Sequence, residues 1–424
     1  MSSFFRQKIA DSVYFNTISD NRFKTARITV SAYVPMAKDT ASHYALLAQV
    51  LTRSCSKYPT LRSLSKRCSY LYGASIYSDV SKVGDAQCLS FTVSFIDDRY
   101  TMNGEKISTD ISELLCDILF SPLVKDGKFS DFELEQERRQ LCEWIDSEYN
   151  DKQIYAREQL NRLMCKDEPY GLPKYGDKQD IAQITTSSLY DAWQNLLQNA
   201  RFEILFIGSA DSKNAFDIFN NAFSKYKNNS KPISHLVLDF KSEQRYEQTV
   251  ALSQSKLVMG FRTNIAEGKA DTTAMRLAIA IFGGTANSKL FNNVREKLSL
   301  CYYCSAQYNR LKGIVTVQSG IKSENIDKTY QAILNEIKEM QVGNITDFEF
   351  NSTKLAICDS FKGLTDTTKG LETWYGTQLF FDKVNTIEQE VQNFQNITKQ
   401  QVIEAINTLK LDTTFVLRGT GEEE

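Results

Sequence analysis

Histidine is almost missing from this chain, which has only His43 and His235 in 424 residues. A helix that grips a metal through two histidines at i and i+4 therefore cannot be assembled, because the i+4 neighbour of His43 is Leu47 and His235 is far away in sequence. His43 reads as an ordinary polar residue near a helix start. Charge of one sign is also lacking: 50 Lys and Arg face 52 Asp and Glu, so nothing electrostatic argues for a nucleic-acid or anionic-membrane partner. The basic run at 62–67 reads as one solvated helix face. The longest conspicuous apolar run, LAIAIF at 277–282, is far shorter than a membrane span, and MSSFFRQKIADSVYF has no apolar core of a secretory signal. Nine cysteines, an odd number without disulfide-framework spacing, favour reduced thiols and a cytoplasmic setting.

Other familiar chemistries are missing too. GGTANSK at 283–289 lacks the second glycine before lysine that a phosphate loop requires, and no G-x-S-x-G elbow occurs. Cys301 and Cys304 have C-x-x-C spacing, but no second pair completes a zinc ribbon. Their surroundings also look extended rather than helix-opening, which weighs against a thioredoxin-like role. No cofactor is expected.

What is present is a repeat. Ser130 and Glu133 have the spacing of a capping box, in which hydroxyl and carboxylate satisfy orphan amides at a helix start, and Thr346 and Glu349 repeat it 216 residues later. Ile184 and Thr185 lead through a helical stretch to FEILFIGS; Ile397 and Thr398 lead likewise to TTFVLRGT, which sets Gly208 against Gly419. Period-two alternation predicts strands through Ala26, Ile28, Val30, Ala32 and Val34, through 89–95, through 257–261 and at Val315 and Val317. Ile326, Tyr330, Ile333, Ile337 and Met340 form a helical stripe that should pack on a sheet. The expected fold class is α+β: two similar tandem domains, each a largely antiparallel or mixed sheet covered by helices. Their expected bounds are 1–228 and 247–424, joined by a linker at 229–246 that starts in the loop-like KYKNNSKPISH.

The segment SHYALLAQVLTRSCSKYP, at 42–59, resembles the active-site helix of the pitrilysin/insulinase metallopeptidases, and that resemblance extends over nearly the whole chain. In that family the helix carries H-x-x-E-H, with paired histidines on zinc and a glutamate that takes a proton from the metal-bound water. The five aligned positions here are Ala45, Leu46, Leu47, Ala48 and Gln49. Ala45 has no donor atom, Ala48 cannot serve as a base, and the Gln49 amide is a weak zinc ligand. EQERRQLCEWIDSEYNDK resembles the region of the third ligand and puts Glu143 in that place. One carboxylate is not a zinc site, so the resemblance implies a degenerate metal site at Ala45, Ala48, Gln49 and Glu143 that holds no metal. The spacing from Gln49 to Glu143 exceeds what is usual in the family, with the surplus in FIDDRYTMNGEKISTD.

LFNNVREKLSLCYY, at 290–303, is similar to the family's substrate-binding segment, which identifies Arg295 and Tyr302 as peptide contacts. A guanidinium offers fixed donors to carbonyls or a carboxylate, and a tyrosine hydroxyl can stabilise charge on a scissile carbonyl. LYGA, NDKQIYA and EPYG, starting at 71, 150 and 168, look like a Gram-positive branch named for association with elongation factor P modification. The resemblance implies a zinc-free subunit that binds peptide and completes the active site of a zinc-bearing paralogue. A peptide-binding or assembly protein without an enzymatic partner and an autonomous peptidase with an unrecognised site are the competing classes, and homodimerisation stays open.

Overall fold

The computed structural model describes residues 3–226, 228–380 and 384–421. It contains two compact units, each built on one sheet. Unit 1 holds β1 (Ser3–Ala10), β2 (Val13–Ser19), β3 (Thr25–Pro35), β4 (Ser75–Val83), β5 (Ala86–Ile96) and β6 (Arg201–Gly208), ordered β1-β2-β6-β3-β5-β4. In unit 2 the order is β7-β11-β8-β10-β9, with β7 at Gln244–Val250, β8 at Ser255–Arg262, β9 at Cys301–Asn309, β10 at Ile314–Ile321 and β11 at Lys410–Gly419. If β1 is set aside, the two sheets have the same topology. β2 runs parallel to β6 as β7 does to β11, and the remaining neighbours in both sheets are antiparallel. The repeat in the sequence is thus a repeat of mixed sheets in an α+β fold.

The alternating residues do what their period requires. Ala26, Ile28, Val30 and Ala32 on β3, with Leu89, Phe91 and Val93 on β5, are fully buried in the core of unit 1. In unit 2, Ile326, Ile333, Ile337 and Met340 of the Ile326–Gln341 helix pack in the core, while the half-buried Tyr330 donates its hydroxyl to Glu243. Both repeated Thr residues close capping boxes, Thr185 with Ser188 and Thr398 with Gln401. The other pair has diverged. Thr346 and Glu349 bond reciprocally, but Glu133, whose amide donates to Ser130 Oγ at 3.4 Å, turns its carboxylate to Ser54 instead.

The units are discontinuous, so the contiguous spans 1–228 and 247–424 do not coincide with them. Unit 1 comprises Met1–Ile145, Leu172–Ser234 and Gly363–Thr386; unit 2 comprises Asp146–Gly171, His235–Lys362 and Ile387–Glu424. The physical reason is that each sheet has a second face, and a segment from the other half of the chain covers it. In unit 2 the Lys152–Met164 helix buries Ala156 and Leu160 against Val258, Phe415 and Leu417. Gly260 makes room for it, since a Cβ there would come within 2.5 Å of Met164 Sδ. In unit 1 the Thr368–Gly376 helix brings Glu372 to Arg27 at 2.8 Å, and Tyr375 stacks on Phe4 with ring centroids 5.0 Å apart. Residues 228–243 have no regular structure. Among the described residues no helix is long and apolar enough to cross a membrane.

Candidate functional site

The helix Lys38–Leu51 is buried on all sides from Tyr44 onward and apolar there except at Gln49, as expected of a helix sunk in a core rather than laid on a surface. Ala45 and Ala48 are both 0% exposed, and their methyl groups are packed among core residues. Gln49 is buried, with its amide oxygen 3.5 Å from the Ser78 hydroxyl on the edge strand β4. Six residues earlier, His43 Nε2 meets Ser188 Oγ at 3.3 Å, so the histidine belongs to a polar contact near the helix start.

Glu143 lies on the Asp131–Asn150 helix with its side chain 67% exposed, and its carboxylate faces Arg139 on the same helix at 3.7 Å. The buried carboxylates of that helix are Glu133, to which sequence reading gave only a capping role, and Glu137, which it did not single out. Glu133 accepts from Ser54 Oγ at 2.9 Å, and Glu137 pairs with Arg53. Burial pushes the Glu133 carboxyl up from its ordinary range, with Ser54 and Arg53 opposing the rise and Glu137 adding to it. Thus Arg53 and Ser54, just beyond the Lys38–Leu51 helix, answer two glutamates spaced i, i+4. That spacing was visible in the sequence; the pairing across some eighty residues was not.

These residues do not fit a zinc ion. Two methyl groups, one amide already facing a hydroxyl and one exposed carboxylate beside an arginine supply neither three ligands nor a base. Among the described residues no group of three or more His, Cys, Asp and Glu side chains is placed to hold a metal.

Unit 1 does carry a groove of about 520 Å³ on the second face of its sheet, whose lining combines Thr29, Ser31, Ser90, Thr92 and Glu372 with apolar residues such as Leu205. Thr29 and Thr92 hydroxyls are 3.0 Å apart, and both turn to the Glu372 carboxylate that pairs with Arg27.

In unit 2, Arg295 sits on a π-helical stretch, Leu290–Lys297. Leu290 and Val294 are fully buried, Asn293 donates to Glu336 at 2.8 Å, and the preceding Lys289 pairs with Glu349 at 2.8 Å. Pinned on that side, the stretch leaves Arg295 outward: its side chain is 40% exposed, stacked 4.7 Å over Phe291 and 3.6 Å from the Glu296 carboxylate. Tyr302 is 51% exposed on β9, an edge strand. It is also the extra residue of a bulge, because Cys301 pairs with Ile321 and Tyr303 with Gly320. The structure therefore places both predicted peptide contacts on the surface of one unit, and the predicted degenerate positions at a core helix and an exposed carboxylate in the other.

Known proteins resemble this chain over most of its length. Residues 183–357 match the family described as peptidase M16 inactive domain. Across 408 residues, 95% of each chain, the sequence is 29% identical to a Bacillus subtilis protein named "Probable inactive metalloprotease YmfF". A second protein of that organism, "Uncharacterized zinc protease YmxG", is 19% identical over 73% of this chain and 75% of its own. The crystal structure of a conserved protein from Enterococcus faecalis superposes with a TM-score of 0.90 at 26% identity, covering 99% of this chain and all of that one.

Proposed function

We propose, from the premise that this chain is an inactive-type homologue in the pitrilysin/insulinase (M16) peptidase family, that it is a zinc-free subunit of a cytoplasmic heterodimeric peptidase. In this reading it binds peptide through Arg295 and Tyr302, and a paralogue bearing H-x-x-E-H supplies the metal. The observation that carries the reading is the contrast between two regions: Ala45 and Ala48 are sealed in a core, while Arg295 and Tyr302 stay in reach of a ligand. An exposed edge strand beside them suits an extended peptide, whose main chain gains hydrogen bonds while side-chain contacts set the choice. The Arg295 guanidinium would take a peptide carbonyl or carboxylate, and the Tyr302 hydroxyl would donate to an oxygen gaining charge at the partner's metal. That Bacillus subtilis holds both an inactive-type and a zinc-type relative supports division of labour between two such chains. All nine cysteines are free thiols, which is in keeping with a reducing compartment.

The test is to assay the purified chain alone and mixed with an H-x-x-E-H paralogue from its own organism. We expect no stoichiometric zinc, no hydrolysis by the chain alone, and hydrolysis in the mixture that disappears with Arg295→Ala. Chelator-sensitive cleavage by the isolated chain would falsify the reading. Peptide binding that persists while every mixture stays inactive would replace it with an assembly role.

A further inference from the structure

The C-x-x-C pair, which sequence alone leaves without a role, is placed unusually by the bulge in β9. In a regular strand, residues three apart point to opposite faces. Here Cys301 pairs with Ile321 and Cys304 with Ser319, so the extra residue Tyr302 returns both cysteines to the one face that looks into the unit 2 core. Tyr303 takes the other face, where Gly320 leaves space for its ring. The bulge thus makes the two thiols neighbours on that face, opposite Ile321 and Ser319. They differ in access: Cys304 is buried at 6% exposure, whereas Cys301 is half-buried. The neighbouring Cys304 thiol and the Arg295 charge hold Cys301 below the usual thiol range despite partial burial, while Cys304 is pushed well above it. A half-accessible thiol beside a cation and a second S–H has the surroundings in which cysteines react.

We propose that Cys301 is a thiol-modification site that exchanges with the disulfide of a low-molecular-weight thiol, and that the adduct obstructs the adjoining Tyr302 and Arg295. In the exchange, Cys301 Sγ gives its proton to solvent and bonds to one sulfur of the disulfide. The original S–S bond breaks, and the other sulfur leaves as a thiolate that takes up a proton. The protein thiol is thereby oxidised and the reagent reduced, and an external thiol reverses the step. The obstruction rests on the peptide-binding reading above; the reactivity of Cys301 does not.

The full chain is treated with glutathione disulfide, digested with trypsin and followed by mass spectrometry, since residues 298–310 form one tryptic peptide holding only these two cysteines. We expect Cys301 to gain one glutathionyl group at least about tenfold faster than Cys142, which is also only half-buried. Arg295→Gln and Cys304→Ala should each slow that gain by roughly threefold or more. Because Arg295 is a surface side chain, its variant keeps the test informative even if Cys304→Ala unfolds. Labelling of Cys301 no faster than that of Cys142, or a rate that Arg295→Gln leaves unchanged, overturns the site. Calorimetry with a peptide bound by the unmodified chain then reads the consequence. Lost affinity in the adduct supports obstruction, and retained affinity overturns it. If the unmodified chain binds no peptide, the obstruction and the functional reading both fall, while the labelling ratio still decides the thiol.

Discussion

In unit 1 the helix after β3, Lys38–Leu51, is a regular α-helix closed into the core; in unit 2 the run that follows β8 ends in a π-wound stretch, Leu290–Lys297, that keeps an arginine outward. The supporting strands have the same order and direction in both units, so the sheets do not account for the difference. Side-chain choice does. Methyl groups at Ala45 and Ala48 let one helix sink, and the Lys289–Glu349 and Asn293–Glu336 contacts hold the other with Arg295 displayed. π-turns widen a helix at some cost in regularity, and they recur where a side chain must be aimed. One duplicated framework thus supports a sealed helix and a displaying one.

The sharpest way to break this contrast is to return a charge to the sealed helix. Ala48→Glu puts a carboxylate where the side chain has 0% exposure, and the residue one turn earlier in the aligned motif, Ala45, offers it no donor. We expect a loss of about 3 kcal/mol or more in unfolding free energy, read by denaturant titration, or failure to fold. A variant that is as stable as the parent would mean that the helix is not sealed.

The segments that cross between halves provide a second comparison. Glu168, in the 146–171 segment of unit 2, lies between Arg262 at 2.7 Å and Lys312 at 2.8 Å, and all three side chains are at most 6% exposed. Arg262 also holds Asp412 at 2.9 Å and donates to Met164 O at 2.8 Å. In unit 1, Glu372 pairs with Arg27 at a wetter place, with the carboxylate side chain 18% exposed. Removing one partner of a fully buried cluster strands the others, so Glu168→Ala should cost about 3–5 kcal/mol. Glu372→Ala should cost less, about 1.5–3 kcal/mol, as for a hydrogen bond to a charged group that water can partly replace. Equal losses would show that burial does not distinguish the two segments.

Neither segment was legible in the sequence, because the contacts that define them join residues remote along the chain: Glu168 to Arg262 and Lys312, Arg27 to Glu372, Phe4 to Tyr375. Local signals carried much further. Period-two alternation marked β3, β5, β8 and β10; the stripe from Ile326 to Met340 marked a helix; the paired Ile-Thr steps at 184–185 and 397–398 marked the repeat. The site was legible as chemistry and less so as geometry. The missing donors at Ala45 and Ala48 could be read from side-chain identity alone, but the outward turn of Glu143 and the Arg53–Glu137 pair depend on how two helices meet. The bulge at Tyr302 was hidden for a similar reason, since a bulge is defined by its partner strand.

The smallest effect we predict separates the two repeated capping glutamates by pH. Burial raises the Glu133 carboxyl, with Ser54 and Arg53 too weak to offset it. For Glu349 burial also pushes upward, but the Lys289 ammonium and the Thr346 amide and hydroxyl outweigh it, so that carboxyl is lowered. The linkage signs are therefore opposite. An acid raised in the folded state binds more protons folded than unfolded, so Glu133 makes stability fall as pH rises from the ordinary value of 4.5 through its folded value. An acid lowered in the folded state does the reverse: the Glu349 contribution is present above 4.5 and is lost as pH falls through its folded value. Glu133→Gln should flatten the decline just above 4.5, and Glu349→Gln should flatten the loss below it, each measured as unfolding free energy against pH. If both variants flatten the same limb, the two carboxylates share one environment, and the different partners of Glu133 and Glu349 do not set their titration apart.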